Sequence, residues 1–159
     1  MNTLDAILNR RSIRKFTSQI ISKELINQLL EAGMYAPSAR NTRAWHFVVI
    51  ENREVLDRLA VAHPYGKMLM QSTLAILVCG DDSLEETKGY HAVNCSAATQ
   101  NMLLAAHELE IGSVWLGVYP REQRMLDIAT LLELPNKFMP INLIAFGYPD
   151  EKKDKPERF

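Results

Sequence analysis

The sequence has almost no excess of either charge: 18 lysines and arginines stand against 19 aspartates and glutamates, a formal net charge of -1. A broad cationic surface for nucleic acid would have to be offset elsewhere, so that class of partner is disfavoured. No apolar run approaches the roughly 20 residues of a membrane span. The start, MNTLDAILNRRS, lacks the charged-then-apolar order and small-residue cleavage site of a secretory signal. Cysteine is scarce as well. Cys79 and Cys95 both lie in apolar neighbourhoods, as buried thiols do, and a reducing cytoplasm is the compartment they predict. Neither GxGxxG nor GxxxxGK[ST] occurs, so the common phosphate loops are missing. His91 and Cys95 have the i, i+4 spacing of metal ligands, but no second pair completes such a site. There is no internal repeat or low-complexity tract. With 159 residues, 47% apolar and 23% charged, the chain suits one soluble domain over 1–159 and is short for two.

What is there alternates between helix and strand. Residues 22–34 carry Leu25, Ile26, Leu29, Leu30 and Met34 on one stripe, the period of an amphipathic helix. Ser22 is placed to cap it, and Glu24 suits its first turn. Short β-branched or apolar runs predict strands at 45–51, 74–80, 113–119 and 141–148. Helices are expected over about 90–109 and 121–132. Such interleaving predicts a three-layer α/β/α domain, and alternation alone would suggest a parallel sheet.

Three stretches could carry chemistry. RRSIRKF, Arg10–Phe16, holds four cations in seven residues. Arg10, Ser12 and Arg14 alternate, so an extended segment would aim two guanidinium forks and a hydroxyl the same way. That suits a phosphate; a solvated helix end reads the same residues differently. In APSARNTRAWHF, residues 36–47, Pro37 ends a helix and Ser38, Arg40 and Asn41 fill a polar loop before the next strand. It serves equally as a ligand loop or as an ordinary connection. In WLGVY, residues 115–119, Gly117 interrupts a strand, either for a bulge or because something approaches the backbone closely.

Together, RRSIRKF, APSARNTRAWHFVVI, GKML, NMLLAAHELEIGSVWLGV and KPERF, in this order, resemble the nitroreductase family of FMN-dependent oxidoreductases in its short form. The likeness spans nearly the whole chain. It implies an α+β, three-layer α/β/α fold with a mostly antiparallel central sheet, in an intertwined homodimer with FMN at the interface. It implies NADH or NADPH as donor and a small planar acceptor such as a nitroaromatic or quinone. The same fold with FMN used for reductive dehalogenation or flavin breakdown is the alternative, as is a flavin-binding protein without turnover.

By the same resemblance Arg10 and Ser12, with Arg11 between them, hold the FMN phosphate, and Arg158 closes on it. Arg14 and Lys67 reach the N1/O2 edge of the flavin. Pro37, Ser38, Ala39, Arg40 and Asn41 contact the cofactor from the other subunit. Trp115, Leu116, Gly117 and Val118 lie against the ring, with a backbone N–H facing N5. No protein nucleophile or acid/base pair is required. The chain departs from the family pattern at Gly117, where larger members place an acid, at Pro64, where they place an asparagine, and at Asn94, where short members often have Asp.

Overall fold

Three helices begin on side chains that satisfy an otherwise orphaned N–H. Asn2, Ser22 and Asn52 accept from the backbone of Asp5, Leu25 and Val55, each capping the helix that follows. The computed structural model describes residues 2–158; Phe159, the end of the KPERF motif, and Met1 lie outside them. Its helices are α1 (Thr3–Asn9), α2 (Lys23–Met34), α3 (Arg53–Ala62), α4 (Lys88–Glu108) and α5 (Glu122–Leu131). Its strands are β1 (Trp45–Ile50), β2 (Leu74–Asp81), β3 (Gly112–Gly117) and β4 (Phe138–Gly147). Of these, α1 and α3 were not expected from the sequence. β3 also ends two residues earlier than its apolar run, and β4 begins three residues before its own.

The four strands form one sheet in the order β1-β2-β4-β3, and every neighbouring pair is antiparallel. The parallel arrangement that alternation alone suggests does not occur. An isolated parallel bridge joins Ser12 to Ser113.

All eight residues of β2 are buried, because helices cover both faces of the sheet. Leu74, Ile76 and Val78 face one core, shared with Ile26 and Leu29 of α2 and with Cys95, Ala98 and Met102 of α4. Ala75, Leu77 and Cys79 face the other, shared with Leu56 and Leu59 of α3 and Ile128 of α5. This period-two division between two apolar layers is the α/β/α sandwich. Of the two readings of Gly117, the bulge does not occur there. β3 keeps an unbroken register through Gly117, whereas β2 shifts between Val78 and Cys79, opposite Pro140, which has no N–H to donate. Both cysteines are fully buried free thiols, and burial pushes the Cys79 pKa up to about 12.

Phe146 is the largest fully buried side chain. Phe146→Ala is expected to cost about 3–5 kcal/mol by opening a cavity. Val61→Ala, at a position 78% exposed, should stay within about 0.5 kcal/mol. Urea denaturation followed by circular dichroism compares the two.

Candidate functional site at the edge of the sheet

β3 is an edge strand, so alternate backbone groups along it face away from β4. The Ser113 carbonyl accepts from the Ile13 N–H at 3.0 Å. The Gly117 carbonyl accepts from Arg124 at 2.7 Å and from His63 Nε2 at 2.9 Å. Both carbonyls therefore lie on the open side. In an antiparallel ladder a residue's N–H and C=O share a side, which puts the Trp115 and Gly117 N–H groups on that edge too. A Cβ built on Gly117 would meet nothing within 4 Å. This glycine is not demanded by packing inside the chain, and it leaves open space beside a free backbone donor.

The arginine segment is seated on the same edge by its apolar residues. Gly112 and Gly147 are register partners across β3 and β4. A Cβ on Gly112 would come within 2.9 Å of Ile13, and one on Gly147 within 2.8 Å of the Phe16 ring. The two glycines form a flat patch, and Ile13 and Phe16 pack onto it. Further backbone bonds join Thr17 to Tyr148 and Asp150 to Lys15. With Ile13 and Phe16 turned inward, Arg14 is left exposed and Ser12 half-buried.

The neighbouring arginines Arg10 and Arg11 behave differently. Arg11 donates to the carbonyls of Leu8, Arg10 and Asp154, so its guanidinium ties α1 to the C-terminal segment. Lys153 adds a bond to the Ser12 carbonyl at 2.7 Å. Arg10 is half-buried, and its buried Nε has no partner. Burial first, then the charges of Arg11 and Arg158, lowers its pKa from the ordinary value. Arg10 also borders two cavities. One, of about 300 Å³, includes Arg11, His107 and Ser113 in its lining; the other, of about 460 Å³, includes Arg11, Lys155 and Arg158. His107, on the last turn of α4, has a buried Nε2 without a partner. Its pKa is lowered by burial and then by Arg10 and Arg11. Crowded cations with orphaned N–H donors suit an anion.

The loop Pro37–Asn41 is held elsewhere and lines neither cavity. Ala39 N–H donates to Asn94 Oδ1 at 3.0 Å, and Arg43 N–H to the Ser38 hydroxyl at 2.9 Å. Arg40 makes a two-pronged contact with the buried Glu85 carboxylate at 2.8 and 2.9 Å and lies over the Tyr90 ring. Glu85 is held below its usual pKa by the Thr87 amide first, then by Arg40 against the effect of burial. Arg40 thus anchors its own loop. Trp115 is fixed through a buried polar chain: its Nε1–H donates to Asn142, and Asn142 donates to Thr99. Leu116 and Val118 are core residues of the α3/α5 layer.

The structure accordingly gathers Arg10, Arg11 and Arg158, and sets Ser12 beside β3. It leaves Arg14 and Lys67 exposed, and it commits Arg11 and Arg40 to protein partners. Sequence reasoning assigned no role to Glu85, His107 or Arg124, and at most a place on the pocket rim to His63. His107 lies inside NMLLAAHELEIGSVWLGV, but no partner pattern singled it out, and the other three fall outside the five stretches.

The nitroreductase family model matches residues 7–64 and 62–148. A protein of Methanothermobacter thermautotrophicus named "Putative NADH dehydrogenase/NAD(P)H nitroreductase" is 45% identical over 159 residues, covering 100% of this chain and 83% of the relative. A crystal structure of the same name from Parabacteroides distasonis superposes with a TM-score of 0.94 at 41% identity, covering 100% of this chain and 94% of that one. A Desulfovibrio desulfuricans structure solved in complex with FMN has a TM-score of 0.87 at 35% identity, covering 99% and 92%.

Two glycines on this edge should respond oppositely to the same change. Gly147→Ala forces a methyl into the Phe16 ring and is expected to cost about 1–3 kcal/mol. Gly117→Ala meets open space and should stay within about 0.5 kcal/mol. Thermal unfolding of the ligand-free variants, followed by fluorescence, separates the two.

Proposed function

Because this chain belongs to the nitroreductase family, we propose that it is an FMN-dependent oxidoreductase. It takes hydride from NADH or NADPH and passes electrons to a small planar acceptor, a nitroaromatic or a quinone. The observation that carries this reading is Arg10: a half-buried guanidinium, repelled by two others, whose buried Nε lacks a partner. An anion would satisfy that donor and relieve the repulsion together. The open space and free N–H at Gly117 then suit a flat ring on the same sheet edge.

Bound FMN would supply the hydride chemistry, and the chain's residues divide the remaining work. Arg10 and Arg158 hold the phosphate, with the Ser12 hydroxyl on the same side of the segment. Arg14 and Lys67 hold fixed positive charge at the N1/O2 edge, which becomes more negative on reduction. The Gly117 N–H faces N5, and Trp115, Leu116 and Val118 support the strand beneath the ring. Arg11 fastens the segment that carries Arg10. Donor and acceptor would both need to stack within hydride reach of the same flavin atom, so the reading includes a ping-pong cycle.

The reading includes a homodimer of one nitroreductase-like domain, residues 1–159, in the cytoplasm. Leu4, Ile7 and Leu8 on α1, Tyr35 after α2, and Tyr90 and Val93 on α4 are exposed apolar side chains that a second copy would cover. Pro37, Ser38, Ala39 and Asn41 then reach the cofactor from the partner, on a loop that Arg40 stiffens. No helix among the described residues is long and apolar enough to cross a membrane.

Purified protein should show flavin absorbance that NADH or NADPH bleaches under anaerobic conditions and an added quinone restores. Steady-state rates at several acceptor concentrations should give parallel double-reciprocal lines; intersecting lines would reject the single-face cycle. A colourless protein that FMN fails to reconstitute would remove the whole reading.

Two further outcomes follow. Arg10→Ala and Arg158→Ala should each lose a charge-assisted contact worth about 1.5–3 kcal/mol, so FMN binds roughly ten- to a hundredfold more weakly. Riboflavin, which lacks the phosphate, should bind both variants as it binds the parent; fluorescence titration reads both ligands. Sedimentation equilibrium should find a dimer, and a monomer that keeps one FMN per chain would contradict the partner's contribution.

A further inference from the structure

His63 follows the last residue of α3 and is 2% exposed. Its ring lies between two backbone groups of fixed character. Nε2 is 2.9 Å from the Gly117 carbonyl, which can only accept. Nδ1 is 3.1 Å from the Tyr65 N–H, which can only donate. One arrangement satisfies both: a neutral imidazole with its proton on Nε2.

This ring joins two parts of the sequence. The turn after His63 is closed by the Gly66 N–H on the His63 carbonyl at 2.8 Å and runs directly into the short 3-10 turn Lys67–Met70. Across the ring stands the end of β3. Arg124, from α5, makes the second contact to the Gly117 carbonyl and places its guanidinium 5.9 Å from the centre of the Tyr65 ring.

We infer that His63 is a positioning residue that holds the turn bearing Lys67 and the strand end bearing Gly117 in one arrangement, and does so only while neutral. The inference rests on the reading that Lys67 and Gly117 both face the flavin. A second proton on Nδ1 would oppose the Tyr65 N–H, donor against donor, and release the turn from the ring, while the Nε2–H contact to the Gly117 carbonyl would remain.

The surroundings give the imidazolium little support. Burial lowers the His63 pKa, the Gly117 carbonyl pulls it back, and the Arg124 charge lowers it again. Asp57, on α3, is paired with Arg53. Tyr65 offers its amide and its ring, and β3 presents the Gly117 carbonyl. If flavin binding requires the joined arrangement, loading the site must lower the His63 pKa further, tenfold in affinity for each unit of difference.

The test uses nitrogen-15 NMR of the imidazole in FMN-loaded and FMN-free protein, with FMN affinity measured from pH 8 to pH 5. The expected spectrum is the Nε2–H tautomer, with a midpoint below the ordinary value near 6.5 and lower when FMN is bound. Tyr65 amide exchange should accelerate as His63 titrates, and FMN affinity should fall over the same range. His63→Asn keeps an acceptor near the Nδ1 position for Tyr65, and His63→Gln keeps a donor near the Nε2 position for Gly117. Each should bind FMN several-fold more weakly at pH 8 and lose the acid-side fall. An Nδ1–H tautomer, the same midpoint with and without FMN, or variants that keep the parent's pH dependence would each overturn the inference. A protein that binds no FMN at any pH overturns the preceding reading instead. The exchange of the Tyr65 amide still judges the His63 contact in that case.

Discussion

A strand at the edge of a sheet leaves every second residue's N–H and carbonyl without a ladder partner, and the site depends on how β3 meets that constraint. At its start the Ser113 carbonyl is taken by Ile13, which lays the arginine-rich segment alongside the strand. At its end the Gly117 carbonyl is taken by Arg124 and His63 from the α3/α5 side of the sheet. The carbonyls are satisfied at both ends, while a Cβ on Gly117 would meet nothing within 4 Å. Satisfying a backbone thus brings together residues 10–14, 63–67 and 117, which are far apart in sequence.

The same accounting sorts the cations. Arg11 spends its donors on three backbone carbonyls, and Arg53 bonds the carbonyls of Leu69 and Ser72. Arg40 neutralises Glu85, and Arg124 holds Gly117. These side chains fix loops, and a guanidinium with five donors in a rigid fork suits that work. Arg10 stands apart as a partly buried cation with an orphaned donor and like charges for neighbours. The chain's composition is almost neutral, so a local excess of positive charge left unpaired is specific to its location.

The fold was legible where burial dictates pattern. The apolar run at 74–80 that becomes β2 and the Ser22-capped stripe of α2 follow from period and capping. The signals for α3 were present in Asn52 as a cap and in Leu56, Leu59 and Ala60 as a stripe, but its polar residues masked the period. α1 buries only Ala6, so seven residues gave no stripe to read. In the site, alternation within RRSIRKF is consistent with Arg14 out and Ile13 in, but it fails at the next pair, where Lys15 is exposed and Phe16 is buried. It could not foretell that Ile13 and Phe16 would find a two-glycine floor, because Gly112 and Gly147 meet only through strand register. The contacts of His63 were illegible for the same reason: both of its partners are backbone groups, which leave no mark in sequence.

The loop at 38–43 extends this argument to a second chain. Arg40, Asn41 and Arg43 all have positive φ, at 51°, 54° and 46°, a region that L residues other than Asn and Asp rarely enter. Each costs of order 1–3 kcal/mol in unsupported chain. Here the conformation is sustained by Asn94 on the Ala39 amide, Ser38 on the Arg43 amide and Glu85 on the Arg40 guanidinium. A simple helix-to-strand connection has easier conformations available. Strain held by three separate contacts implies that the shape itself is used, yet the loop lines neither cavity bordered by Arg10. A rigid loop without a ligand in its own chain, and an open strand edge without a wall, are complementary deficits. In the proposed homodimer, a second copy of the chain would bring one to the other.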